Sequence, residues 1–232
     1  MRQTNFPERE KDLARNDSVA ALSRRKFLGI TGVFSGLLVA GSACHKNDDN
    51  NSGVNLGSGD VGILNYAYAL EQLEAAFYTQ VITSQYTGIT ASETALLTDI
   101  RDHEVAHREF FKSALGTNAI ASLEVNFGSI NFGSRESVLA TAKAFEDLGV
   151  SAYNGAGKLI TSADYLVLAG KIVSVEARHA AYIRDLISNG SFADSTVIDA
   201  NGLDKSRMPS EVLSIAGTYI KTKINASNLP TS

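Results

Sequence analysis

Apolar residues recur at alternating three- and four-residue spacing over four stretches of the chain, the signature of amphipathic helices. The first runs from about Asp60, a good N-cap, to Thr83, with the seam Leu64, Ala67, Glu71, Glu74, Tyr78 and Val81. The second opens on the capping box Thr90-Ala91-Ser92-Glu93 and ends before Gly116. Its seam is Leu97, Ile100, Glu104, His107, Phe111 and Ala114. The third follows Ser134 and carries Leu139, Ala142, Glu146, Gly149, Tyr153, Ala156 and Ile160. The fourth starts after Thr161 and Ser162, ends at Asn189-Gly190, and aligns Ala169, Ile172, Glu176, His179, Ile183 and Leu186. A weaker pattern over Pro209–Lys221 predicts a short fifth helix with Pro209 in its first turn.

The connections set the topology. Short links join helices one to two and three to four, so each pair forms an antiparallel hairpin. Roughly 18 residues separate the hairpins; extended, they reach at most about 60 Å, and a 24-residue helix is about 36 Å long. The chain can therefore return along the whole bundle. Short, long, short connections predict an all-α four-helix bundle with one long crossover, spanning 60–190. A C-terminal extension, 191–232, carries the short helix.

The seams carry a chemical anomaly. Glu71 with Tyr78 and Glu146 with Tyr153 share one spacing; Glu104 with His107 and Glu176 with His179 share another. Any one of these glutamates alone reads as a solvated helix face, and any one histidine as a satisfied core residue. Together they place four carboxylates and two imidazoles at one depth of a core, with no cationic side chain on the seams. Burying an unpaired carboxylate costs several kcal/mol, so either the face is wet or something positive meets it there. Two metal ions fit: carboxylates can bridge and neutralise them, and each imidazole completes one shell.

At this point the chain resembles the ferritin-like superfamily, and in particular the exported ferritin-like domain proteins that include desiccation-associated members. LEQLEAAFY (70–78), HEVAH (103–107), FEDLGVSAYNG (145–155) and VEARHAAYIRDL (175–186) carry the resemblance. It implies Glu71, Glu104, His107, Glu146, Glu176 and His179 as ligands of two iron or manganese ions, with Glu104 and Glu176 bridging. Glu74, one turn from Glu71, is a candidate seventh ligand or a replacement for it. Tyr78 and Tyr153 become hydrogen-bond donors to the ligands or redox-active neighbours. Rubrerythrin-like sites place a further carboxylate on the third helix, where this chain has Gly149. The aspartate that often orients the histidines is not identifiable, and His103 reads as peripheral.

The N-terminal 43 residues read as an address. Ser23-Arg24-Arg25-Lys26-Phe27-Leu28 precedes a glycine-containing apolar run and resembles a twin-arginine export signal. Cys44 directly follows that run and is the candidate lipidation site, with ordinary cleavage after Ala43 as the alternative. Residues 44–59 are polar and predict a flexible linker. The expected location is therefore periplasmic or envelope, with a lipid anchor in the membrane if Cys44 is modified.

Composition removes other classes. Net charge is −4, and without residues 1–43 the chain has 14 basic against 21 acidic side chains. Clustered cations for nucleic acid are absent. A single cysteine excludes an internal disulfide framework and a zinc-thiolate site. The functional expectation is an exported redox protein acting on O2, peroxide or ferrous iron. The alternative is a non-catalytic envelope or stress-protection protein whose metal is structural or absent. A storage cage is disfavoured, because a tether and a C-terminal extension obstruct a closed shell; smaller homo-oligomers stay open.

Overall fold

In the computed structural model, which describes residues 53–232, the predicted helices are present. They are α1 (Gly59–Thr83), α2 (Ala91–Leu115), α3 (Arg135–Gly157), α4 (Ala163–Ile187) and α5 (Pro209–Ala216). The export segment 1–43, Cys44 and the first part of the linker lie outside the described residues.

The caps explain most boundaries. Thr90 Oγ1 accepts from the backbone of Glu93, whose carboxylate accepts in return from Thr90 N–H. Ser134 and Ser162 accept from Ser137 and Tyr165 at the starts of α3 and α4. The start of α1 differs from expectation: its N-cap is Ser58, not Asp60. Asp60 instead accepts from Thr161 N, Thr161 Oγ1 and Ser162 N at 2.8, 2.9 and 2.9 Å. It ties the beginning of α1 to the α3–α4 turn. Burial opposes ionisation there, but the hydrogen bonds outweigh it and hold the Asp60 carboxyl below its ordinary range.

Helix α1 packs against α2, and α3 against α4; α1 also touches α3. From Gly62 to Ala75 every residue of α1 is buried, so this helix is the axis of the core. The crossover lies over it. Asn126 and Asn131 accept through Oδ1 from Gly128 and Gly133, two like turns that turn Phe127 and Phe132 onto Phe77 at 6.0 Å each. The repeated NFGS motif is thus a repeated way of covering α1.

The C-terminal extension does more than pack beside the bundle. Val54–Asn55 (β1) pairs in parallel with Ile224–Asn225 (β2), and Val125 bridges Ile220. Lys221 N–H donates to Glu124 O at 2.7 Å. The last 15 residues therefore clamp both the chain before α1 and the crossover. The flexible linker expected over 44–59 accordingly stops short of its last residues, since Val54 and Asn55 are paired and Leu56 is fully buried. Helix α5 ends at Ala216, earlier than Lys221, because Gly217 closes it and the chain turns into this pairing. It packs on α3.

Two features fasten the extension. A Cβ at Gly155 would lie 1.7 Å from the Arg207 carbonyl oxygen, so only glycine admits this segment against α3. Arg184, 2% exposed, donates to Asp147 at 2.6 Å, Asp194 at 2.7 Å, Ser191 O at 3.0 Å and the Thr196 hydroxyl. One buried guanidinium thus joins α4, α3 and the loop after α4.

Candidate metal centre

The four helices each deliver one buried glutamate to the same depth. Glu71, Glu104, Glu146 and Glu176 are all 0% exposed, and His179 is 5% exposed. Apolar neighbours one turn away, Ile100 and Phe111 on α2 and Ile172 and Ile183 on α4, are buried too. Ordinary core packing thus encloses the four carboxylates, while His107 is partly exposed.

The donor atoms converge in two overlapping sets. Glu71, Glu104, His107 and Glu176 each offer one atom within 4.8 Å of the others, and so do Glu104, Glu146, Glu176 and His179. Glu104 and Glu176 belong to both sets. His107 Nδ1 lies 2.8 Å from Glu176, 3.4 Å from Glu71 and 3.7 Å from Glu104. His179 Nδ1 lies 2.9 Å from Glu104, 3.5 Å from Glu146 and 3.6 Å from Glu176. The two imidazoles stand in matching positions with exchanged partners.

These short contacts are not hydrogen bonds. Glu71 Oε2, Glu146 Oε2, all four oxygens of Glu104 and Glu176, and both histidine Nδ1 atoms are buried without a hydrogen-bond partner. So many orphaned donor and acceptor atoms facing one another would be strongly unfavourable without a cation. Four carboxylates balance two divalent ions, and the oxygen and imidazole donors suit iron or manganese. The residues present fit a dinuclear centre.

Protonation responds to the same crowding. Burial lowers both imidazoles, but the surrounding carboxylates override it and raise His107 and His179 to about 12. Burial, reinforced by the nearby carboxylates, pushes Glu71 well up; burial also lifts Glu146 to about 8. For Glu104 burial acts upward, and the two imidazoles pull it down to about 2. Without a metal, protons supply the missing positive charge.

The tyrosines act across the bundle, not along their own helices. Tyr78 donates to Glu146 Oε1 at 2.5 Å, and Tyr153 donates to Glu71 Oε1. Each hairpin's tyrosine therefore fastens the other hairpin's glutamate and leaves only its Oε2 facing the centre. The seven-residue spacing of Glu71 and Tyr78 had no means of revealing that exchange.

Glu74 belongs to neither set. It is 4% exposed, and its Oε1 lies 3.2 Å from where a Cβ at Gly149 would be. The carboxylate from α1 thus occupies room that the missing side chain on α3 leaves. Burial and then the surrounding glutamates push its pKa well above the ordinary range.

His103 is the residue whose place differs most from expectation. It is exposed, as a residue beside the seam should be, yet its Nδ1 lies 2.9 Å from His179 Nε2. The rings are within 9° of parallel. Its one-residue offset from Glu104 was the only sequence signal available.

A family model described as a ferritin-like domain matches residues 59–189. That span takes in all four long helices and both donor sets. No curated protein matches the chain.

Proposed function

Because this chain belongs to the ferritin-like domain family, we propose that its buried glutamates and histidines hold two iron or manganese ions for redox chemistry on O2, peroxide or ferrous iron. The observation that carries the reading is the pair of overlapping donor sets whose buried atoms have no hydrogen-bond partners. Two such ions would together supply the two electrons that reduction of a two-electron oxidant such as peroxide requires.

The chain's own residues would divide the work. Glu104 and Glu176, common to both sets, would bridge. Glu71 with His107, and Glu146 with His179, would each complete one half. Tyr153 and Tyr78 would hold the terminal carboxylates in a single orientation, limiting the rearrangement that a change of metal charge would otherwise cause. The apolar layers would keep bulk water from the centre.

The test loads the purified chain anaerobically with ferrous or manganous ions and adds O2 or peroxide. Visible absorption should change as oxidant is consumed in proportion to bound metal, and both signals should vanish in Glu176→Ala. Loaded protein that leaves both oxidants unconsumed would remove the redox reading. The complete burial of the four carboxylates favours one second reading, in which the metal staples the helices of an envelope or stress-protection protein. Inertness to oxidant with metal-dependent melting would support that one.

Export belongs to the same proposal. The Arg24-Arg25 signal and Cys44 at the end of the apolar run support delivery of a folded, metal-loaded protein to the cell envelope, tethered through a lipid on Cys44. Among the described residues no helix is long and apolar enough to cross a membrane. The mass of the mature N-terminus distinguishes a lipidated Cys44 from simple cleavage after Ala43.

A further inference from the structure

The two donor sets match residue for residue, but their surroundings do not. His179 turns Nδ1 to the glutamates and Nε2 to His103, 2.9 Å away. Among the described residues no protein group accepts a hydrogen bond from the far nitrogen of His107. The residue before Glu104 is His103; the residue before Glu176, its counterpart on α4, is Val175. One half of the centre therefore has an imidazole behind its imidazole, and the other has none.

We propose that His103 is a positioning residue that fixes the ring and tautomer of His179, so that the His179 half of the centre binds its metal ion more tightly than the His107 half. The inference rests on the metal-centre reading above. A histidine that ligates through Nδ1 must carry its proton on Nε2, and an acceptor at Nε2 selects that tautomer and strengthens the ligand. His103 Nδ1 supplies the acceptor, leaving its own Nε2–H to solvent. Ring alignment within 9° also restricts rotation of His179 about its side-chain bonds. An exposed histidine can take this role because it needs only to accept one hydrogen bond, without itself entering the core. The ligand pattern is symmetric; the support behind it is not.

Anaerobic titration of the full chain with cobalt(II), followed by calorimetry and visible absorption, tests this. Wild-type protein should bind two ions in separate steps, and Glu146→Gln should identify which step belongs to the His179 half. His103→Phe should weaken that step by about 10–100-fold and alter its cobalt absorption, leaving the other step unchanged. His103→Asn, which keeps an acceptor oxygen in place of Nδ1, should restore both. The melting temperature of the metal-free variants should equal that of wild type, since the side chain is exposed. Two unchanged steps in His103→Phe, or failure of His103→Asn to rescue, would overturn the role of His103 and leave the metal centre standing. Wild-type protein that binds no cobalt would overturn both.

Discussion

The α1–α2 and α3–α4 hairpins repeat the same four chemical positions: Glu71 and Glu146, Tyr78 and Tyr153, Glu104 and Glu176, His107 and His179. Several nearby positions differ, and three of them shape what surrounds the centre. Glu74 corresponds to Gly149, His103 to Val175, and Lys112 to Arg184. Repeated residues face the centre or fasten a residue that does. Unrepeated ones serve a different neighbour: Gly149 leaves room for Glu74, His103 backs His179, and Arg184 anchors the loop after α4. The centre is two-fold in its candidate ligands and in the tyrosines that fasten two of them, and one-sided at Glu74, His103 and Arg184.

The sharpest way to break this comparison is to remove shared and unshared ligands separately. Glu176→Ala takes an oxygen donor from both sets and should abolish binding of both ions. Glu71→Ala should spare the His179 half, and Glu146→Ala the His107 half, each retaining close to one ion per chain. Affinity at the damaged half should fall by more than the ~100-fold typical of outer partners. Elemental analysis after loading and desalting reads the outcome. Equal loss in all three variants would mean that the halves are not separable.

A smaller effect separates the hairpins by stability. Arg184 is buried among Asp147, Asp194 and Thr196, and its α2 counterpart Lys112 is exposed. Arg184→Ala should destabilise the protein by about 2–3 kcal/mol, at or below the lower end for breaking buried pairs because both aspartates are partly exposed. Lys112→Ala should stay within about 0.5 kcal/mol. Chemical denaturation of the two variants checks both figures.

Metal removal acts on both halves at once. In the metal-free protein, burial raises Glu71 and Glu146, and the carboxylates raise both histidines against the pull of burial. The folded state then holds more protons than the unfolded chain. Stability from Glu146 is complete below its ordinary value near 4.5 and is lost as pH rises through about 8; that from the histidines is lost from 6.5 towards about 12. Glu104, drawn down to about 2, opposes this only in strong acid. The melting temperature of chelator-treated protein should therefore fall between pH 5.5 and 8.5. Metal binding displaces those protons, so affinity should rise over the same interval.

Much of this arrangement was legible in the sequence. Seam periodicity located the helices and faced the six metal-binding candidates inward, and Thr90-Glu93, Ser134 and Ser162 marked three helix starts. What periodicity reports is the face a residue occupies, not the partner across from it. Hence Tyr78 and Tyr153 were identified, but their exchanged glutamates were not. By its position in the sequence Asp60 looks like a local cap, although its partners are Thr161 and Ser162, far along the chain. The C-terminal clamp had no periodic signal, because two-residue strands pair through backbone alone. His103 lies one residue off the seam, which marks it as peripheral, and a peripheral side chain can still reach a buried neighbour.

The central claim is that six donor residues on four helices create two cation sites. Counting iron or manganese bound per chain after anaerobic loading and removal of free metal tests it most directly. The geometry predicts about two ions per chain, supplied by two donor sets that share two carboxylates. A folded, metal-free chain that takes up neither metal would contradict it.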